Sequence, residues 1–351
     1  MTVVYVYEPQ ATYQRIAAEL VPNLLEEEAL SDFFPLENIQ RTRLIWTQDD
    51  NQTGIMSLRG EGGSPTNTSR IGQKSYEATP GFFGNFLTLG ETELMERTGT
   101  GNFDGLNVDI NVHDLVAADQ GRLAVQYRWR WKQMMGTLLN TGTLTINLPD
   151  GSPGYSTSYT QQTFSPGTAW TTHASATPLL DLMNLQINYG RGTSNDFGSR
   201  ATAYMSSKTF QDLRFNSNSA DLYGRFPTTT PLAMRSLKDV NEILLASGAP
   251  QVKIVETGYL NASGTWVLDF PDGVVQVLAA RPTGEKPGAA IMTKNALNPG
   301  MAPGVYSFVN DFQNAVGGVR IAIPPRIDVH MGFNGGAVMK RTLQVVTITS
   351  A

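Results

Sequence analysis

VHDLVAADQGRLAVQYRWRWKQMMGTLLN, Val112 to Asn140, is the longest proline-free helical pattern in the chain. Val112, Val116, Leu123, Tyr127, Trp131, Met134 and Leu138 recur at steps of three, four or seven. That spacing draws one apolar stripe along a helix, with a gap at Asp119 and Gln120. The other face carries Arg122, Arg128, Arg130 and Lys132. At a rise of ~1.5 Å per residue the helix is roughly 40 Å long. Gly142 follows its end, where a left-handed C-cap is favourable. Gly121 and Gly136 weaken it, each by about 1 kcal/mol relative to alanine. Short strands, turns and open loops make up most of the remainder. One long helix crossing a strand-rich chain predicts a spine in a structural part.

The 351 residues suffice for two or three modest domains with real cores. Hydrophobic residues make up 40%, which excludes a disordered chain, while charged residues are only 16%. Soluble domains typically carry about 25% charged residues. A surface poor in charge and rich in Thr, Ser, Asn, Gln and Gly suits a subunit buried in a large assembly, because charge is depleted at interface cores. The formal net charge of −5 argues against a protein that grips phosphates. The absence of cysteine rules out disulfides, thiolate nucleophiles, zinc–thiolate sites and iron–sulfur clusters. No apolar run reaches ~18 residues, so no membrane-spanning helix is expected. MTVVYVYEPQ has no basic segment ahead of an apolar one, so no signal peptide is expected and cytoplasmic synthesis is the default.

Ahead of the helix, residues 2–7 alternate as a short strand or arm. A helix is predicted from Ala11 to Leu20 and a second from Leu24 to Leu30, the latter carrying Glu26, Glu27 and Glu28. Negative charge near a helix start suits the dipole, so this acidic triplet reads as a solvated face. Arg41 to Thr47 alternates like a strand. Asp49 to Phe83 is punctuated by Gly54, Gly60, Gly62, Gly63 and Gly72 and has few apolar anchors. It reads as a two-stranded excursion, GIMSLRG out and SRIGQKSYEAT back, turning around Gly62 to Asn67. A lone hairpin is marginal in water, so it should lie against a partner. Its glycines imitate a phosphate-cradling loop only superficially, since no Lys-Ser/Thr pair follows.

Beyond the helix, Thr143 to Leu148 is a strand, and Ser152 to Thr172 shows little periodicity. Pro178 opens a helix capped by Thr177, with Leu179, Leu182, Met183 and Ile187 as its apolar positions. Ala201 to Met205 is a strand, and Ser206 or Ser207 caps a helix through Phe215. From Pro231 the texture changes. Ser236 caps a helix, Leu237 to Ala246, and several short strands follow, as expected of an α+β subdomain from 231 to 325. The terminal strands RIDVHMGF and MKRTLQVVTITSA should pair with strands flanking the long helix. The expected division is 1–48, an arm and incoming strand; 49–80, the excursion; 81–230 with 326–351, one domain around the spine 112–140; and 231–325, an insertion.

No catalytic constellation emerges. His113, His173 and His330 have no metal-ligand spacing, and no G-x-S-x-G elbow accompanies the His113–Asp114 pair. No cofactor or metal is expected. YRWRWK, Tyr127 to Lys132, interleaves aromatics and cations as single-stranded nucleic-acid binders can. On a helix, however, Tyr127 and Trp131 join the core stripe while Arg128 and Lys132 share another face. Packing plus ion pairing is the reading that follows.

This order of parts resembles the major capsid protein of tailed bacteriophages, most closely the lambda capsid protein E family. FFPLENIQRTRLIW, Phe33 to Trp46, resembles the family's passage from arm to strand. SLRGEGGSPTNTSRIGQKSYEATPGFF, Ser57 to Phe83, resembles its extended loop. VQYRWRWKQMMGTLLNTG, Val125 to Gly142, is similar to the end of its spine helix. GYLNASGTWVLDFPDGVVQVLAA, Gly258 to Ala280, is similar to a run of its axial domain.

The resemblance implies the α+β fold shared by tailed-phage capsids, encapsulins and the herpesvirus capsid floor. It implies a virion subunit that builds hexamers and pentamers of an icosahedral shell around double-stranded DNA, without sequence-specific DNA binding. Its extended loop would lie over a neighbouring subunit, and scaffolding, portal and decoration proteins would be further partners. No long acidic N-terminal scaffolding segment is expected, a departure from some members of the family. Arg59, Arg70 and Lys74 on the excursion could then pair with a neighbour's Glu26, Glu27 or Glu28, setting register more than stability. Arg128 and Lys132 are the spine's candidate interface cations. The rival reading is a phage tail tube or fibre-like structural protein, and a glycan-acting hydrolase with paired carboxylates stands third.

Overall fold

The computed structural model describes residues 28–49, 73–90, 112–216, 236–298, 301–311 and 327–350. Helix α1, Val112–Thr141, is one unbroken element of 30 residues, about 45 Å long. Its expected stripe is buried from Val116 through Leu123, Tyr127, Trp131 and Met134 to Leu138. The gap is buried too, and each of its side chains finds a partner. Arg122 bridges Asp119 at 3.2 Å, and Gln120 Nε2 donates to Ser307 Oγ at 3.0 Å. Gly142 ends the helix at φ 72°, a conformation that favours glycine, and its N–H bonds Leu138 O at 2.9 Å.

The helix lies across a sheet centred on β15, Ile327–Met339. Strand β4, Gly81–Leu89, runs antiparallel along one edge of β15. Along the other edge lie β14, Val305–Asp311, beside its first half and β13, Gly288–Met292, beside its second. Strand β1, Leu36–Asn38, adds parallel to β13. Because strand side chains alternate, Phe333, Met331 and Val329 face α1 while His330 faces away. Phe333 stacks on Trp131 at 4.8 Å and on Phe83 at 4.9 Å, with Tyr127 edge-on at 4.9 Å. The hairpin β5–β6, Thr143–Asn147 and Pro153–Ser158, sends Tyr155 over Gly336 to donate to Ala337 O at 2.7 Å.

A second sheet runs β7-β16-β12-β8-β9. Its strands are Gln162–Phe164, Val345–Thr349, Val274–Leu278, Thr202–Met205 and Gln251–Ile254. Helices α2, Pro178–Leu185, α3, Ser207–Phe215, and α4, Leu237–Ala246, share its core. Ser206 caps α3, and Ser236 forms a capping box with Asp239 on α4. Two further hairpins are β2–β3, Leu44–Asp49 with Gln73–Ala78, whose Leu44 and Trp46 are buried in the first core, and β10–β11, Gly258–Leu260 with Trp266–Leu268.

Several expectations differ from these elements. The strand-rich segment 231–325 is not a separate insertion. Strands β9 and β12 join the second sheet while β13 and β14 join the first, so the two cores do not part at 231. The terminal strand β15 does pair with β4 ahead of the helix, but β16 pairs with β12 and β7. Local texture marks a strand and not its distant partner. Ser152 to Thr172, apparently aperiodic, contains β6 and β7. Thr177 makes no cap bond, and the chain widens into a π-turn at Gln186–Gly190 that rotates Ile187 outward to 48% exposure. Glu28 is extended at ψ 142°, so no helix runs unbroken from Leu24 to Leu30, and a 3-10 turn starts at Ala29. Of the excursion, the described part is the β2–β3 ladder. Its arm GIMSLRG and its turn lie outside the described residues, as do residues 1–27.

Two glycines of this packing respond oppositely to alanine. Gly121 is exposed with open space at its Cβ position. Gly121→Ala should raise stability by about 0.5–1 kcal/mol in urea unfolding. At Gly336 a Cβ would sit 2.3 Å from the Tyr155 ring, and Gly336→Ala should lower the unfolding midpoint.

Candidate assembly surfaces

Four ionised side chains meet beside α1. Lys132 is only 2% exposed, and its Nζ lies 3.0 Å from Glu28 Oε2 and 3.0 Å from Asp269 Oδ2. Arg128 grips Glu28 Oε1 through both Nε and Nη2. Two carboxylates and two cations thus balance inside the subunit. Burial pushes the Asp269 carboxyl above its usual range, against the opposing pull of Thr257 and Lys132. Thr257 Oγ1 donates to its Oδ2 at 2.6 Å. The expected polar face of α1 is therefore split. Arg122 stays in solvent, while Lys132 is covered by the segment at Glu28 and by the chain at Asp269.

Glu28 opens a strap that reaches strands of both sheets. Four residues on, Asp32 accepts from Tyr204 Oη at 2.7 Å and lies 3.0 Å from Lys253 Nζ and 3.8 Å from Lys286 Nζ. Partial burial acts to raise the Asp32 pKa, but Tyr204, Lys253 and Lys286 together outweigh it and hold the carboxyl below its usual value. Phe33 packs on Tyr204 at 4.9 Å and on Phe270 at 6.0 Å. Pro35 O then accepts from Ala290 N, which starts the β1–β13 pairing.

The residues singled out from sequence divide three ways. Glu28, Arg128 and Lys132 come together, but with one another and inside one chain. Lys74 sits exposed on β3, opposite Gln48. Arg59, Arg70, Glu26 and Glu27 lie outside the described residues. Within YRWRWK, Tyr127 and Trp131 enter the core, as the spacing requires. Arg130 instead lies 5.4 Å from the Phe83 ring and donates to Gln133 Oε1 at 2.7 Å. His173 meets Asp212 at 3.0 Å on the surface, and His330 stacks between Phe86 at 5.1 Å and Phe308 at 4.5 Å. Among the described residues no group of three or more His, Asp or Glu could hold a metal. Sequence reasoning missed Asp269, Asp32 and Tyr204. The one available signal was an isolated acid inside the apolar run WVLDF.

Two variants probe these charges. Lys132→Met strands two buried carboxylates beside Arg128 alone and should cost about 3–5 kcal/mol in urea unfolding. Tyr204→Phe should cost about 1–2 kcal/mol near pH 7. Because the folded Asp32 pKa is depressed, its contribution is fully present above the unfolded value of about 3.9. It is lost as pH falls through the lower folded value, so the Tyr204→Phe deficit should shrink in unfolding curves recorded at progressively lower pH.

No protein-family model matches the chain, and no curated protein matches it. Solved structures do. The chain is similar to a capsid protein assigned to a prophage of E. coli CFT073, at 12% identity and a TM-score of 0.52, covering 95% of this chain and 99% of that one. A phage-related protein from Bordetella bronchiseptica RB50 follows, at 10% identity and a TM-score of 0.49, covering 99% and 98%. The capsid of Myoviridae phage XM1 is matched at 10% identity and a TM-score of 0.47, covering 93% and 92%. Carried by the first of these, the conclusion concerns architecture: the chain has the α+β fold of a phage capsid protein.

Proposed function

We propose that this chain is the major capsid protein of a tailed phage, and that it assembles into hexamers and pentamers of an icosahedral shell around double-stranded DNA. The observation that carries the reading is the fold, similar over 95% of the chain to the prophage capsid protein. Its unbroken 30-residue spine agrees with that role. Within that class, the quoted motifs favour the lambda-type family. The role is structural and not catalytic, the place of action is the virion, and scaffolding, portal and decoration proteins are the expected partners. A net charge of −5 suits a container whose DNA is driven in and not wound onto the wall.

Strength in such a shell comes from many modest contacts repeated by symmetry. At the base of the excursion the hairpin β2–β3 is built within the subunit: Trp46 stacks on Tyr76 at 5.6 Å and Arg43 pairs with Glu77 at 2.6 Å. The part beyond it lies outside the described residues and is the proposed contact with a neighbour.

Size-exclusion chromatography with negative-stain microscopy tests the reading: the full chain should give capsomers or closed shells. Tubes would favour the tail-tube alternative, and a monomer would overturn both. Deleting Gly60 to Ile71 should leave the subunit folded and its particles fewer and more fragile. Shells as robust as those of the intact chain would remove the clamping role.

A further inference from the structure

At the β1 edge of the first sheet, a pocket of about 590 Å3 gathers Arg41, Lys286, Lys340 and Arg341 around Glu37 and Glu285. Both acids are already engaged. Lys340 Nζ reaches both Glu37 carboxylate oxygens at 2.6 Å, and Glu285 pairs with Arg341 at 2.8 Å and with Arg281 at 3.3 Å. Lys286 lies 3.8 Å from Asp32, which Lys253 shares. Arg41 is exposed, and no ion pair to it occurs among the described residues. The pocket thus holds a surplus of positive charge on a chain whose net charge is −5. Ile45, 43% exposed, adds apolar surface to its lining.

The opposite edge carries the complementary shape. There the turn of hairpin β5–β6 lies beside β4, the two lining one groove. Asn147 to Pro153 are all exposed. Backbone bonds preorganise this turn: Leu148 N donates to Ser152 O at 2.8 Å and Gly151 N to Leu148 O at 2.9 Å, with Gly151 at φ 86°. Asp150 Oδ1 accepts from Ser152 Oγ at 2.6 Å and from Ser152 N at 2.9 Å, which holds the carboxyl below its usual range. The side chain is therefore ionised at neutral pH, and no described cation pairs with it. Leu148, two residues away, is 49% exposed. An acid beside leucine on one edge matches an arginine beside isoleucine on the other.

Turn and pocket do not meet within one chain. From β4 through β15 and β13 to β1 the sheet crosses three strand spacings, roughly 14 Å in all. A convex acidic turn at one edge and a concave cationic pocket at the other form the two halves of a head-to-tail interface, the kind that closes into a ring. Each copy then gives one turn and receives one. A second copy of this chain is the occupant that supplies both the charge and the apolar neighbour.

We propose that the pocket at the β1 edge receives the β5–β6 turn of a neighbouring copy, with the Asp150 carboxylate on Arg41 and Leu148 against Ile45. This rests on the shell reading and assigns one contact within its rings. An exposed pair of this kind sets register more than it stabilises, whereas like charges brought face to face at every junction oppose assembly. The test is a charge exchange read by sedimentation velocity. Arg41→Glu and Asp150→Arg should each lower the yield of capsomers about tenfold, and the double variant should recover. Mixing the two single variants should recover hexamers, because an even ring can alternate the two chains and pair every charge. A double variant that fails to recover, or that recovers while the mixture does not, would overturn the proposal, the second result placing the contact within one chain. Asp150→Asn keeps the acceptor that holds the turn and removes only the charge. It should unfold in urea at the wild-type midpoint and still lower the yield about threefold, which separates loss of the contact from loss of the turn. If the wild-type chain forms shells and Arg41→Glu and Asp150→Asn assemble equally well, this contact falls and the shell reading stands. A wild-type chain that assembles into tubes retires the shell reading, and the same variant series still decides the contact. A monomeric wild-type chain overturns both.

Discussion

Trp131 stacked on Phe333, which also stacks on Phe83, fixes the long helix to the long strand. Much of the rest depends on that seam. A helix of 30 residues is not held straight by propensity alone, least of all with glycine at 121 and 136. It persists because its stripe is buried along nearly its whole length. The sheet makes this possible by offering β15, a strand of 13 residues, as a matching rail. At Gly336 the absence of a side chain lets the Tyr155 ring settle on the strand. Helix, rail and hairpin β5–β6 thus pack as one unit.

Charge does a different task. The cluster of Glu28, Arg128, Lys132 and Asp269 sits where desolvation is costly, so it adds little net stability over an apolar substitute. It does specify geometry: only one placement of the strap neutralises all four groups. Asp32, four residues along, repeats the device against the second sheet, through Tyr204 on β8 and Lys253 on β9. Two acids on one short segment therefore tie α1 and the second sheet to the same strap. Their pH behaviour is opposite, since burial raises Asp269 while Tyr204, Lys253 and Lys286 lower Asp32.

Much of this was legible in the sequence. The helix appeared within a residue of its observed end, because a 3.6-residue period over four or more heptads is a strong local signal. Ser206, Ser236 and Gly142 marked their helix ends for equally local reasons. The pairing of β15 with β4 followed from the expectation that terminal strands flank the spine. What the sequence did not display was partnership at a distance. The ladder that sets His330 against Phe86 and Phe308 joins segments far apart in the chain, as does the pairing of β16 with β12. Lys132 reads from sequence as an interface cation because nothing near it in the chain shows that Glu28 and Asp269 close over it. Arg130, two residues earlier, shares its face in sequence but lies half-buried against the Phe83 ring.

The central claim is that this chain is a shell subunit built on one continuous spine. Cryo-electron microscopy of particles assembled from the full chain tests it most directly. The account predicts hexameric and pentameric capsomers in which residues 112–141 form a single helix laid against β15. Helical tubes, or subunits with that helix broken into separate pieces, would contradict it.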